Sequence, residues 1–163
     1  MANSSIIEIA KNKIIRELIN DDSIVKAINS TTINSSEDLI GTHIFDYHQN
    51  PNTLNTVQTF ITIQVHIPEQ YRFQSEIYVK PVVEFWIISH EKHMKVDNIP
   101  KIKSNRNDYI SRLLDIKFNG KDMFGIGVSK LLSNVEGSYQ QNYLYRKLTF
   151  ECVDLNKTLC EEI

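Results

Sequence analysis

His90 and His93, three positions apart in His90-Glu91-Lys92-His93, are the first residues to which chemistry can be assigned, with His66 on the preceding apolar run as a third nitrogen donor. Three imidazoles would suit a small metal-dependent enzyme. The helical zinc motif, however, places its histidines four apart on one face, with a glutamate beside the first as general base. Here the pair ends a run of strand-forming residues, and the bland reading, polar side chains closing a strand, is preferred. Phe124-Gly125-Ile126-Gly127-Val128-Ser129-Lys130 offers two glycines and a lysine to a phosphate. It lacks the third glycine and precedes a strand, where the dinucleotide fingerprint follows one and opens a helix. Its glycines are expected to let the chain turn sharply into that strand. Ser89, Ser111, Ser129 and Ser133 have no glycine elbow around them, and Cys152 and Cys160, eight apart, form no CxxC pair. Both thiols are expected to be reduced. No residue set qualifies as catalytic, cofactor-binding or metal-binding, so a non-enzymatic protein is expected.

The aromatics are more informative. Tyr139, Tyr143 and Tyr145 with Arg146 and Lys147 have the makings of a stacking platform for single strands, which needs rings interleaved with positive charge. Cross-strand packing explains the same alternation and is favoured. Phe60, on the polar side of its strand, and Phe45-Asp46-Tyr47, in a loop, place rings where water is expected. Such rings mark a contact with another chain, unless a helix covers that face.

Several elements must position these residues. Ser5 with Glu8 spells a capping box, and Ile7, Ala10, Ile14 and Leu18 form one stripe of a helix over 6–20. Asp21-Asp22 ends it and caps a short helix carrying Ile24, Val25 and Ile28, after which 29–38 is polar enough to be a surface loop. From Val57 to Ile67 apolar and polar residues alternate up to Pro68, the pattern of a half-buried antiparallel strand. The denser run from Ile77 to His90 predicts one central strand covered on both faces, with Pro81 at a bulge and 69–75 as the connection. Ser104 caps a helix over 105–118, stopped by Asn119-Gly120. Two strands follow, 125–135 and 143–154, joined by a turn at Gly137-Ser138, and a short strand is possible at 44–47. Helices set between antiparallel strand pairs define an α+β fold: a single domain over 1–163, with a mostly antiparallel sheet of four or five strands packed against the N-terminal and mid-chain helices, and loose ends at 1–5 and 157–163.

Composition bounds the function. A chain of 163 residues holds one ordinary core, and 18 basic against 20 acidic residues, net −2, is no electrostatic footprint for a dedicated nucleic-acid binder. No apolar run approaches the roughly 20 residues of a membrane span, and none resembles a signal peptide.

Four segments carry a family resemblance: Ile44-Phe45-Asp46-Tyr47 after the first helices; Glu84-Phe85-Trp86-Ile87-Ile88-Ser89-His90, a strand ending in polar residues; Arg106-Asn107-Asp108-Tyr109 with Leu113, Leu114 and Asp115; and Phe124-Gly125-Ile126-Gly127 followed by Tyr145 to Phe150 and Asp154-Leu155-Asn156. In order and type, over about 6–156, they resemble the tail terminator or neck proteins of tailed bacteriophages of Firmicutes-type hosts. A more Pro-rich stretch of that family is replaced here by Asp46 and the Asn-rich 48–56 segment, and 157–163 has no counterpart in it. The resemblance implies a virion protein assembled in the host cytoplasm. It would form a homo-oligomeric, hexameric ring that ends the tail tube and joins it to the head connector or stopper. DNA would pass through the lumen without specific binding. The neighbouring alternative is another virion ring, for head closure or tube joining. Subunit or partner contacts would fall on Phe45, Tyr47, Phe60, Arg106 and Asp108.

Overall fold

The computed structural model describes residues 4–50, 56–68, 70–73, 76–140 and 142–153. Helix α1 spans Ser5–Ile19, and its buried residues Ile6, Ala10, Ile14 and Leu18 recur every four positions to make one stripe against the sheet. Ile6, and not Ile7, heads that stripe. The expected capping box is not the cap used: the N-cap position falls to Ser4, whose side chain makes no capping bond, and Ser5 already belongs to the first turn. Ser4 and Ser5, expected in a loose end, thus belong to the start of the helix, while 1–3 and 157–163 lie outside the described residues. Asp21 does cap α2 (Asp22–Ile28), accepting from the amides of Ser23 and Ile24 at 3.0 and 3.3 Å. The polar loop that follows contains a 3-10 turn at Ser36–Leu39, stapled by reciprocal bonds between Ser35 and Asp38, and it drops Leu39 into the core.

The sheet has five strands in the order β1-β2-β5-β7-β6, from β1 (Ile44–Phe45), β2 (Thr59–His66), β5 (Val82–His90), β7 (Tyr143–Val153) and β6 (Val128–Tyr139). Every pairing is antiparallel except β1 with β2. The run expected as one strand from Ile77 is two. β4 (Glu76–Val79) pairs with β3 (Gln70–Phe73) in a separate hairpin, and the chain restarts as β5 after Pro81. Proline has no amide to give a ladder, so it separates the two strands instead of bulging one. The last hairpin turns at Gln140, in the left-handed region at φ 51°, so that Gly137 lies inside β6. Helix α3 covers Arg106–Phe118, capped by Asn105 and not Ser104.

α1, α2 and α3 lie on one face of the sheet. Ile61, Ile63, Val83, Phe85, Ile87, Leu148 and Phe150 meet them there in the main core. Phe85 is its hub, stacked on Phe118 at 5.3 Å and set edge-on to Phe150 at 5.9 Å, with Phe124 tilted against it at 6.0 Å. The opposite face carries a second buried cluster, Phe45, Phe60, Ile88 and Tyr143, flanked by Trp86, Tyr139 and Tyr145. β2 is consequently covered on both sides, not half-buried: Phe60 and Thr62 are as inaccessible as Ile61 and Ile63. What covers Phe60 is other aromatic side chains, not a helix. No helix among the described residues is long and apolar enough to cross a membrane.

Phe85→Ala removes the ring about which three others are arranged, and should cost about 3–5 kcal/mol in urea unfolding. Ile116→Ala, on the solvent side of α3 at 62% exposure, should stay within about 0.5 kcal/mol of the parent. Equal costs for the two would place the core elsewhere.

Candidate interaction surface and buried polar centre

The N-terminal turn of α3 delivers Arg106 into the interior, where it is fully buried. Its Nε donates to the His93 carbonyl at 2.7 Å, one terminal nitrogen to the Ala27 carbonyl at 2.5 Å and to Asn98 Oδ1 at 3.3 Å, and the other to the Lys95 carbonyl at 2.7 Å. The nearest carboxylate, Asp97, stands 4.0 Å away and is largely exposed. The guanidinium is thus held mainly by backbone oxygens. One of these is Ala27 O in the last turn of α2, where helical carbonyls concentrate partial negative charge.

Asn107, the next residue, enters a chain of polar groups beneath the β2–β5 pair. Its Nδ2 donates to the Leu144 carbonyl at 3.0 Å and its Oδ1 accepts from Ser89 Oγ at 2.6 Å. Ser89 and Thr59 hydroxyls lie 2.7 Å apart, and Thr59 Oγ1 is 2.7 Å from His93 Nδ1. The proton positions follow from the end of the chain. Ser89 spends its hydrogen on Asn107, so Thr59 donates to Ser89, and His93 must donate from Nδ1 to Thr59. Neutral His93 is therefore the Nδ1–H tautomer. Burial, and next the positive charge of Arg106, pull its pKa from 6.5 down to about 4. Burial lowers the pKa of His43 as well.

This geometry removes the three-histidine metal reading. His66 lies opposite Val82 at the start of β5, whereas His90 ends that strand, so the two are separated by roughly 26 Å at about 3.3 Å per residue. His66 lies 3.5 Å from Glu84, and His90 Nδ1 accepts from the Lys92 amide at 3.1 Å. Among the described residues no three His, Cys, Asp or Glu side chains gather as a metal would need. Gly125 and Gly127 take φ of 73° and 101° as the chain turns into β6, the structural use expected of them. Buried Cys152 has its thiol pushed up to about 12, by burial first and then by Asp122 and Glu151, which keeps it protonated. Cys160 lies outside the described residues.

The five residues expected at contacts are scattered by the fold. Phe45 and Phe60 meet edge to face at 6.0 Å inside the second cluster, and burial removes both from the surface. Arg106 is equally inaccessible, so it cannot pair across subunits. Asp108 supports the Asn105 cap, its carboxylate accepting from Asn105 Nδ2 at 2.9 Å, and holds Arg146 at 2.7 Å. Tyr47 alone is well exposed, at 52%. It leans on Phe45 at 5.5 Å beside an open groove of about 410 Å³ along the β1 edge, walled by Ile15, Ile40 and Phe45 with Arg16 and Asp46.

Other features were not anticipated. Trp86 stacks obliquely on Tyr145 at 4.9 Å, carries Lys147 over its ring at 5.1 Å and meets His48 at 5.2 Å. Tyr145 in turn lies over Gly137, directly opposite in register, where a Cβ would come within 2.7 Å of the ring. A glycine facing a tyrosine across a predicted hairpin was the available signal. At the bulge between Leu131 and Ser133, Leu132 has no partner on β7 and stands 52% exposed. Nothing local in the sequence marks that bulge.

A fold with helices on one face of a mostly antiparallel sheet, and apolar groups at its outer edges, defines an α+β protein with candidate interaction surfaces. A sequence-family model described as YomW matches residues 12–152, and the chain belongs to that family. Membership associates it with phage-derived proteins of the Bacillus prophage type. No curated protein and no solved structure matches the chain.

His93 gives the buried centre a pH signature. Its folded pKa is depressed, so between about 6.5 and about 4 the unfolded chain binds a proton that the folded chain refuses. The stability it contributes is complete above pH 6.5 and is lost as pH falls toward 4. His93→Gln, which can still donate to Thr59, should melt lower than the parent at pH 7.5 and close that gap by pH 4.5. Melting curves that stay parallel across this range would show that His93 does not titrate with unfolding.

Proposed function

We propose that this protein is a structural component of a phage neck, forming a ring that terminates the tail tube and joins the tail to the head connector. The observation that carries the reading is the YomW match, which associates nearly the whole described chain with phage-derived proteins. Most of the segments that resemble tail terminators fall on discrete elements, while Phe124–Gly127 lies in the turn before β6 and 154–156 lie outside the described residues. Ile44–Tyr47 holds the β1 edge, Glu84–His90 runs along the central strand, Arg106 opens α3, and Tyr145–Phe150 lies in the closing hairpin. A terminator must present different surfaces to the tube, to the connector and to its neighbours, and a closed heterologous ring satisfies all three with one repeated chain. The near-neutral charge suits a lumen through which DNA slides, since dense Lys and Arg would hold the phosphates.

Deleting the gene from an inducible prophage tests this. Electron microscopy of the lysate should show full heads separated from tails, with tubes overrunning the parental length, and complementation should restore joined particles of one tail length. Virions of normal tail length that lack the protein by mass spectrometry would end the proposal. Tails of normal length that fail only to attach heads would assign it to head closure.

A further inference from the structure

Among the described residues, the large apolar side chains left in water gather at the two ends of the sheet. Ile9, Ile40 and Tyr47 stand by the β1 edge, and Val128, Leu132 and Val135 by the β6 edge; Val57, Ile116 and Leu144 are the exceptions. Ile9 belongs to the β1 side because it shares a helical stripe with Asn12 and Arg16, both on the wall of the groove. The two edges differ in shape. The β1 edge is concave, and its strand is blunted by the parallel bridge from Ile40 to Ile44. At the β6 edge the bulge leaves Leu132 without a partner in the ladder and half exposed to water. A bulge also interrupts the backbone pattern that another strand would need for regular addition, so this edge is suited to side-chain contact.

The charges match as well. Arg16 and the Asp46 carboxylate line the groove, with Lys11 Nζ donating to the Asp46 carbonyl at its margin; the β6 edge carries Lys130 two residues before Leu132 and Glu136 four after it. Arg16, the Asp46 carboxylate and Lys130 are exposed and make no ion pair within the described chain, and Glu136 remains 72% exposed beside Arg146.

We propose that the two edges are halves of one contact between copies of this chain: Leu132 of one subunit seats in the β1-edge groove of the next, with Lys130 beside Asp46 and Glu136 facing Arg16. Because the halves lie at opposite ends of the same sheet, each subunit uses both, and the contact is head-to-tail. Such a contact propagates until a rotation closes it into a ring. This deepens the ring reading and rests on it, naming the surface by which neighbours would join.

Light scattering and sedimentation velocity on the purified full chain test it, with thermal melts followed by circular dichroism as the folding control. The parent should associate with rising concentration. Leu132→Asp should leave monomer at concentrations where the parent is oligomeric, with an unchanged melt because the position is half exposed. Lys130→Asp and Asp46→Lys should each weaken association at least about tenfold, and together restore it, a rescue that a merely misfolded variant cannot give. A parent oligomer that Leu132→Asp and both charge reversals leave intact overturns this interface while the ring reading stands. A parent that remains monomeric at every concentration and on isolated tail tubes ends both.

Discussion

The fold depends on a buried cation without a close counter-ion. Arg106 is inserted at the point where the C-terminal turn of α2, the connection from β5 to α3, and α3 itself converge, and its hydrogen bonds join all three. Lysine could not replace it: a point ammonium on a flexible stem cannot reach three carbonyls from different directions as a planar fork does. The cost of desolvating the charge is offset because its acceptors are already committed. Were the guanidinium removed, the buried Ala27 carbonyl would lose its partner at about 1–3 kcal/mol, and the part-buried His93 and Lys95 carbonyls would lose theirs at a smaller cost. The same charge acts on His93 and helps keep it neutral, so the hydroxyl chain from Thr59 to Asn107 has one proton order. Arg106 therefore ties α2 and α3 to the connection between β5 and α3, and it adds to the burial that keeps His93 neutral.

This explains why the best-defined polar residues of the chain are structural. In the sequence, Arg106-Asn107-Asp108 at a helix start invites a functional reading, since a charged surface motif is where partners bind. In the fold all three turn inward or sideways, Arg106 to carbonyls, Asn107 to Ser89 and Leu144, and Asp108 to Arg146. Backbone carbonyl acceptors leave no trace in a sequence, so nothing there distinguishes a buried arginine from an exposed one.

Much else was legible, and what failed did so for related reasons. The α+β class, the apolar faces of α1 and α3, the Asp21 cap and the two-faced alternation of β7 follow from local periodicity, which a core face obeys whatever its partner. The β2 strand was misread because its second face is covered by Phe45 and Tyr143, 15 residues before and 83 after Phe60, and periodicity carries no information about such distant partners. Gly137 was misread as a turn because its role is to make room for Tyr145 across the hairpin, and the true turn relies on Gln140 in a conformation glutamine rarely takes. Leu132 was passed over because a bulge is a property of two strands in register. Contact residues suffered most: a ring out of place in an alternating strand indicates that something covers it, but not whether the cover is the same chain or another.

The second face of the sheet shows how charge can be present and still offer little to a polyanion. Lys147 is bound to Glu84 at 2.7 Å while it lies over Trp86, and Lys80 is bound to Glu151 at 3.0 Å. Each cation thus spends its field on a neighbouring carboxylate, and a passing phosphate would have to compete with a partner already in contact. A stacking platform needs the reverse, rings with unsatisfied positive charge between them. Tyr145 is packed against Trp86, and Tyr143 lies in the buried cluster, with its hydroxyl donating to the Thr56 carbonyl at 3.1 Å. Neither ring is free to receive a base. Were the proposed ring to form, this neutrality would suit a DNA passage, because affinity for DNA scales with the phosphates neutralised. Arg16, the Asp46 carboxylate and Lys130, which make no ion pair within the described residues, lie instead toward the outer edges of the sheet, where a protein neighbour of fixed geometry could match them one by one.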